Sequence, residues 1–325
     1  MKRLILTAIV VTAMGTPTKT SELTSLSYAT EWINSPPLTA ESLRGRVVLV
    51  QFWTYSCLYW IRTLPHVRAW AQRYRDKGLV VIGVHAPEFD FERLLANTRW
   101  AAKNFRVDYP VAVDNEFAIW RAFGNEYWPA LYLIDGRGRV RHRHFGEGDY
   151  EQSERMIQKL LAEAGTRGLP QELVSVAGHG VEAAGDLPNV QSPETYVGSE
   201  RSENRKSPDT QLRLNQWALA GDWSVRKRAA VLEEANGRIV YRFHARDLNL
   251  VMSPGAQGKP VRFRALIDGQ PPGPAHGIDV DEQGNGTIVE PRMYQLIRQP
   301  GRIGDRQFEI QFLDPGVEAF VFTFG

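Results

Sequence analysis

Two stretches of the chain are apolar without alternating faces: Val47-Val48-Leu49-Val50-Gln51-Phe52-Trp53 and Leu79-Val80-Val81-Ile82-Gly83-Val84. Such runs predict strands covered on both sides. Between them Leu64, Val67, Trp70, Ala71 and Tyr74 recur at helical spacing, so a helix follows Ser56 and ends at Lys77-Gly78. Pro65 lies inside it and is expected to kink it. The pattern continues with a helix over 91–104, a short strand at Val111–Val113 and a helix over 116–123. Strands at Ala130–Ile134 and Val140–Phe145 are joined by Asp135-Gly136-Arg137-Gly138, a hairpin signal. A last amphipathic helix carries Met156, Ile157, Leu160 and Leu161. Strands alternating with helices predict a layered α/β domain centred on residues 40–164, within bounds of 21–165.

Beyond it the pattern changes. Residues 166–193 are rich in Gly, Pro and Ala and read either as a linker or as irregular chain packed on the first domain. From 194 to 325 short strand-like runs follow at Trp217–Ala220, Arg238–Phe243, Val261–Ile267, 277–280, 308–312 and 319–324, divided by Gly- and Pro-rich turns. They predict an all-β sandwich or jelly roll. Trp217 and Trp223 offer a sugar-stacking platform, although core packing is the commoner fate of tryptophans near strands. Asp279 to Glu290 approaches a calcium-loop spacing, but position five is Gln283 and the flanks read as strands where helices are needed. A hairpin turn is the preferred reading, and no metal or cofactor is expected.

Composition narrows the function classes. With 325 residues and 43% hydrophobic content, the chain suffices for two cores. A net charge of +2 gives no footprint for nucleic acid, and Arg139, Arg141 and Arg143 alternate as the solvated face of a strand. Lys2 and Arg3 precede an apolar stretch over residues 4–14, the layout of an export signal within residues 1–20. It is either cleaved or kept as a membrane anchor, and the protein is expected to be exported, as to a periplasm. Export permits disulfides, yet the chain has one cysteine, Cys57, and so no internal bridge.

Cys57 falls where a strand gives way to a helix, so unpaired backbone N–H groups face its sulfur and favour thiolate. Cys57 is the candidate nucleophile; the alternative is a buried relic. Pro129, after Trp128 and just before a strand, is placed to be a cis proline that offers backbone to an incoming chain. Glu88, at the end of the second buried run, is either an acid serving the site or a solvated loop carboxylate. Arg62 and His66 read as surface or packing residues. His142 and His144 share a strand face without a third ligand.

Trp53-Thr54-Tyr55-Ser56-Cys57 with Ile61-Arg62-Thr63-Leu64-Pro65-His66 resembles the active-site segment of the TlpA-like thioredoxin family, and in particular the periplasmic region of DipZ-type proteins. Tyr127 to Asp135 resembles that family's cis-proline segment, and Val84-His85-Ala86-Pro87-Glu88 its strand-end segment. Glu194 to Gly198, Ala245 to Leu248, Tyr294 to Arg298 and Phe312 to Val317 resemble the C-terminal domain of DipZ-like proteins, similar in shape to carbohydrate-binding modules. The resemblance implies a thioredoxin fold followed by an all-β sandwich, protein thiols or disulfides as partners, and substrate contacts near Trp53, Trp60, Trp128 and Pro129. The family motif is Cys-x-x-Cys, whereas this chain reads Cys57-Leu58-Tyr59-Trp60. A tryptophan cannot resolve a mixed disulfide, which leaves monothiol chemistry through Cys57. The alternative is a non-catalytic binding protein whose sandwich engages a glycan or protein partner.

Overall fold

A computed structural model describes residues 22–255 and 258–325. The expected export signal lies outside these residues. The first unit contains β1 (Glu31–Ile33), β2 (Val47–Trp53), α1 (Leu58–Tyr74), β3 (Leu79–His85), α2 (Leu95–Asn104), β4 (Val111–Val113), α3 (Ala118–Ala122), β5 (Ala130–Ile134), β6 (Val140–Phe145) and α4 (Tyr150–Glu163). Its sheet runs β1-β4-β3-β2-β5-β6, with β2, β3 and β4 parallel and β1, β5 and β6 antiparallel to their neighbours. Every residue of β2 is buried, as a central strand between helical layers requires. This is a thioredoxin fold. α1 passes through Pro65 and ends in a 3-10 turn, where Gly78 takes φ +105°, a left-handed cap that a side chain would strain. The expected helix at 91–104 is shorter: Asp90–Arg93 is a 3-10 turn, and α2 begins only at Leu95.

The second unit contains β7 (Thr195–Tyr196), β8 (Arg205–Lys206), β9 (Trp217–Ala220), β10 (Trp223–Val225), β11 (Ala230–Leu232), β12 (Arg238–Phe243), β13 (Asp247–Ser253), β14 (Val261–Ile267), β15 (Asn285–Ile288), β16 (Arg292–Arg298), β17 (Arg306–Phe312) and β18 (Glu318–Phe324). They form two sheets, β10-β11-β18-β13-β16 with β7 on β18, and β15-β14-β17-β12-β9-β8. Tyr241, Phe243 and Phe308 of the second sheet meet Phe322 and Phe324 of the first, which makes a β-sandwich.

The two sheets differ in burial. β12, β14 and β17 bury alternate residues, as strands with one wet face do. β13 is buried at all of its positions, and β16 and β18 nearly so. Their second face packs on the thioredoxin unit: Val251, Met293, Phe320 and Val321 join the core cluster of Trp53, Trp60 and Leu64. Phe320 lies 4.9 Å from Phe89 and 5.0 Å from Phe91, ring centre to ring centre. The middle sheet therefore belongs to two cores.

Residues 166–193 are packed along this seam. Leu169, Val174 and Val181 lie against the first core, Glu182 pairs with Arg68, and the Val174 N–H donates to the buried Glu154 carboxylate. The expected strand at 277–280 is instead a loop, held because Asp279 accepts from Arg292 and from the Gln295 N–H. Asp281 meanwhile accepts from the Asn285 N–H, and the segment turns there. Trp217 is fully buried in the sandwich, which takes it out of a sugar platform, and the half-buried Trp223 packs edge-on to Phe312. Among the described residues no helix is long and apolar enough to cross a membrane, and no group of three His, Cys, Asp or Glu is placed to hold a metal ion.

One ion pair crosses the seam out of reach of solvent. Arg62 of α1, 3% exposed, reaches Asp247 of β13 at 3.1 Å and Glu147 at 3.2 Å. Asp247 also faces Arg246 and Arg298. A buried charge stripped of one partner is left uncompensated. Asp247→Ala is expected to destabilise the protein by about 3 kcal/mol, the cost typical of breaking one side of a buried pair, read as a lower urea midpoint. An unchanged midpoint would show that Glu147 alone compensates the Arg62 charge.

Candidate active site

Cys57 is the N-cap of α1, with extended backbone (φ −78°, ψ 114°) and no side-chain capping bond. Its half-buried sulfur lies 3.9 Å from the Trp128 carbonyl, and the Trp128–Pro129 peptide is cis. The structure thus brings Cys57, Trp128 and Pro129 together. The helix start was expected to lower the thiol's pKa. The backbone N–H groups of Tyr59 and Trp60 do act in that direction, but burial outweighs them and pushes the thiol well above its ordinary value. Glu194 and Glu88 push it the same way.

Trp60 is part of the core. Its indole is fully buried, stacked on Trp53 at 4.3 Å and met edge-on by Phe105 at 5.4 Å. Gly83 accommodates this stack, since a Cβ there would meet Trp53 Nε1 at 2.7 Å. Trp53 and Trp60 are therefore core residues, and their expected contact with substrate is corrected: neither has surface to offer. Trp128, half-buried, and the buried Pro129 remain at the sulfur, with Trp128 anchored by its Nε1 donating to the Ala86 carbonyl. Tyr127 and Phe145 stand exposed beside them, 5.0 Å apart.

Glu88 is not a solvated loop carboxylate. Its Oε1 accepts from Tyr196 at 2.6 Å and from Arg201 at 3.1 Å, and its carbonyl accepts from Arg228. All three donors come from the second unit. Burial raises the Glu88 pKa, and Tyr196 and Arg201 oppose that rise. A cavity of about 180 Å³ opens here across the seam, between Glu88, Phe117 and Trp128 on one side and Tyr196, Arg201 and Arg228 on the other.

Two functional neighbours were not singled out in the sequence. Glu92, fully buried, accepts from the Ser56 N–H and hydroxyl and from the N–H groups of Glu88 and Phe89. One carboxylate thereby ties the loop before Cys57 to the loop carrying Glu88. Its signal was weak, a glutamate in a 3-10 turn among polar residues. Glu194 comes from far along the chain, where it opens a segment that marked the second domain but not the site. Of the other candidates, Arg62 is the seam ion pair, His66 stacks on Tyr150 at 3.7 Å, and His144 faces Asp149 at 3.7 Å.

Both units resemble known proteins. The AhpC/TSA family model matches residues 29–143, and the model of a thioredoxin-like C-terminal domain matches residues 192–325. The thiol-disulfide oxidoreductase YkuV of Bacillus subtilis is 32% identical over 41% of this chain and 88% of its own length. The chain belongs to the thioredoxin-like thiol-disulfide oxidoreductase family. Protein DipZ of Mycobacterium bovis and of Mycobacterium tuberculosis is 35% identical over 92% of this chain, which spans 42% of the length of those relatives. A solved thioredoxin-like protein in its oxidised form is 31% identical over 41% of this chain and 90% of its own, with a TM-score of 0.38. In this DipZ-like chain Cys57 stands at the helix start and the core residue Trp60 three residues on.

His85 supplies a test of how dry this core is. It is fully buried between Trp53 and Tyr55, and burial holds its pKa down at about 3. The unfolded chain therefore takes up this proton first, so the stability associated with a neutral His85 is complete above about pH 6.5 and is lost as pH falls toward 3. Melting temperature should fall more between about pH 6 and pH 4 in the native chain than in His85→Phe. Parallel curves would mean that His85 is not the group being forced to charge.

Proposed function

We propose that the protein is an exported thiol-disulfide oxidoreductase restricted to monothiol chemistry, with Cys57 as its single attacking sulfur. The observation that carries this reading is Cys57 capping α1 beside the cis Trp128–Pro129 bond while the resolving position is filled by the core residue Trp60. The Cys57 thiolate attacks one sulfur of a partner's disulfide. A new S–S bond forms, the old one breaks, and the departing thiolate takes up a proton. A thiolate of a second molecule then attacks the mixed disulfide and frees Cys57. The partner is a protein disulfide laid along the Trp128–Pro129 backbone, next to the exposed Tyr127 and Phe145. Export rests on Lys2, Arg3 and the apolar stretch after them, kept as a membrane anchor or removed.

A second reading has its own support: burial raises the Cys57 pKa, which disfavours thiolate at neutral pH. In it the protein binds a partner without redox turnover, its sandwich engaging a glycan or a protein. Reaction of the folded full chain with an aromatic disulfide reagent separates the two. The first reading expects one equivalent of coloured thiol released and an adduct that persists until an external thiol is added. It also expects no release from Cys57→Ser. Release only after unfolding would place the binding reading ahead.

A further inference from the structure

Four cations, Arg93, Arg201, Lys227 and Arg228, line the cavity at the seam, against two carboxylates, Glu88 and Glu200. The carboxylates are already engaged, Glu88 by Tyr196 and Arg201, Glu200 by Lys227 at 3.1 Å. Arg201 is engaged as well, lying over the Tyr196 ring at 3.4 Å. Arg93 and Arg228 are not matched in this way. Each gives one N–H to a main-chain carbonyl, Arg93 to that of Asn115 and Arg228 to that of Glu88. Among the described residues no carboxylate oxygen comes closer than 3.7 Å to Arg93 or 3.9 Å to Arg228. Asp90, which both approach, has an 85% exposed side chain, and Glu194 meets Tyr196 without lining the cavity. A guanidinium carries five N–H donors, so both arginines keep several for an incoming acceptor. One belongs to each unit.

The remaining walls are aromatic, formed by Phe117, Trp128 and Tyr196 among others. Phe117 is held at φ +56°, in the left-handed region that a bulky side chain enters only at a cost. The buried Asp114 maintains this turn. Its carboxylate accepts from the Ile119 and Trp120 N–H groups and its carbonyl from the Phe117 N–H. The Phe117 ring is thereby set against Trp128, 6.4 Å centre to centre. Strain of this kind collects at ligand clamps. The volume of about 180 Å³ is that of about six waters, room for one side chain with an apolar stem and a charged end. The cavity also adjoins the thiol, because Trp128 lines it and the Trp128 carbonyl lies 3.9 Å from Sγ.

We propose that the seam cavity receives an acidic side chain of the partner, a glutamate or aspartate beside the cysteine under attack. Its stem lies among Phe117, Trp128 and Tyr196, and its carboxylate accepts from Arg93 and Arg228. The second unit thereby selects the partner, since it supplies Tyr196 and Arg228 to a cavity that borders the Trp128–Pro129 backbone. A lysine in the same place would meet four like charges and be turned away. The use of this pocket in turnover rests on the monothiol reading above.

The test uses the native full chain and short blocked peptides with Glu, Gln or Lys on both sides of a central residue. With serine at the centre the peptides bind without reacting. The NMR signal of the Trp128 indole N–H, assigned with Trp128→Phe, then reports occupancy. The Glu peptide should bind about tenfold tighter than the Gln peptide, and the Lys peptide weaker than both. Arg228→Ala should remove most of that preference. With a central cysteine linked to an aromatic thiol, the same order should appear in the rate at which coloured thiol is released. Equal binding of the three serine peptides overturns the pocket, and continued reaction of the cysteine peptides then leaves the monothiol function standing. A preference for Glu beside an inert Cys57 upholds the pocket and overturns the monothiol function. Propionate that moves the indole signal as strongly as the Glu peptide overturns the partner's side chain as occupant, in favour of a free acid.

Discussion

A sheet buried on both faces needs both of its neighbours, and the strands β18, β13 and β16 are the doubly covered part of such a sheet. Leu250, Met252 and Phe322 face the outer sheet of the sandwich, while Val251, Met293 and Val321 face the thioredoxin core. Taking the two units apart would expose the second set to water, together with the Phe89–Phe320 contact and the Arg62–Asp247 pair. The seam is not wholly apolar. Asn249, Gln295 and Thr323 are buried there as well, and polar groups without solvent tolerate few alternative alignments.

This arrangement decides what surrounds the sulfur. α1 carries Cys57 at its start and Arg62 one turn later, so the helix that presents the thiol is also the helix clamped to β13. Glu88 leaves the thioredoxin sheet at the end of β3 and finds its donors in Tyr196, Arg201 and Arg228 of the other unit. Glu92 fixes the spacing between the two loops. The polar half of the site is therefore assembled at the seam, and the apolar half, Trp128 and Pro129, is supplied by the thioredoxin fold alone.

Much of the first unit was legible in the sequence because its central strands are unbroken apolar runs and α1 has a clear stripe. β4, β5 and β6 stand at the expected residues. β13 escaped because Asp247 and Asn249 interrupt its apolar pattern, and what accounts for them, their partners at the seam, is not visible in the chain. Cys57 and the cis proline were legible from local order. Burial of Trp53 and Trp60 was not, since an indole next to a reactive residue reads equally well as a contact surface. Glu194 and Tyr196 were illegible as site residues for a different reason: a hydrogen bond spanning more than a hundred positions leaves no periodic trace in the chain.

The stack of Trp60 on Trp53 has an evolutionary consequence. A cysteine at position 60 would fill only part of the space that the indole occupies between Trp53 and Phe105. Exchanges of buried aromatics for small residues cost about 3–5 kcal/mol, a large share of what a domain has in reserve. A single Trp60→Cys exchange would therefore meet a folding penalty before any dithiol could form. Compensating growth of neighbouring side chains would have to come first, each change unrewarded by redox activity on its own. Packing around position 60 thus acts as a lock: it holds the indole in place against any exchange for a small thiol.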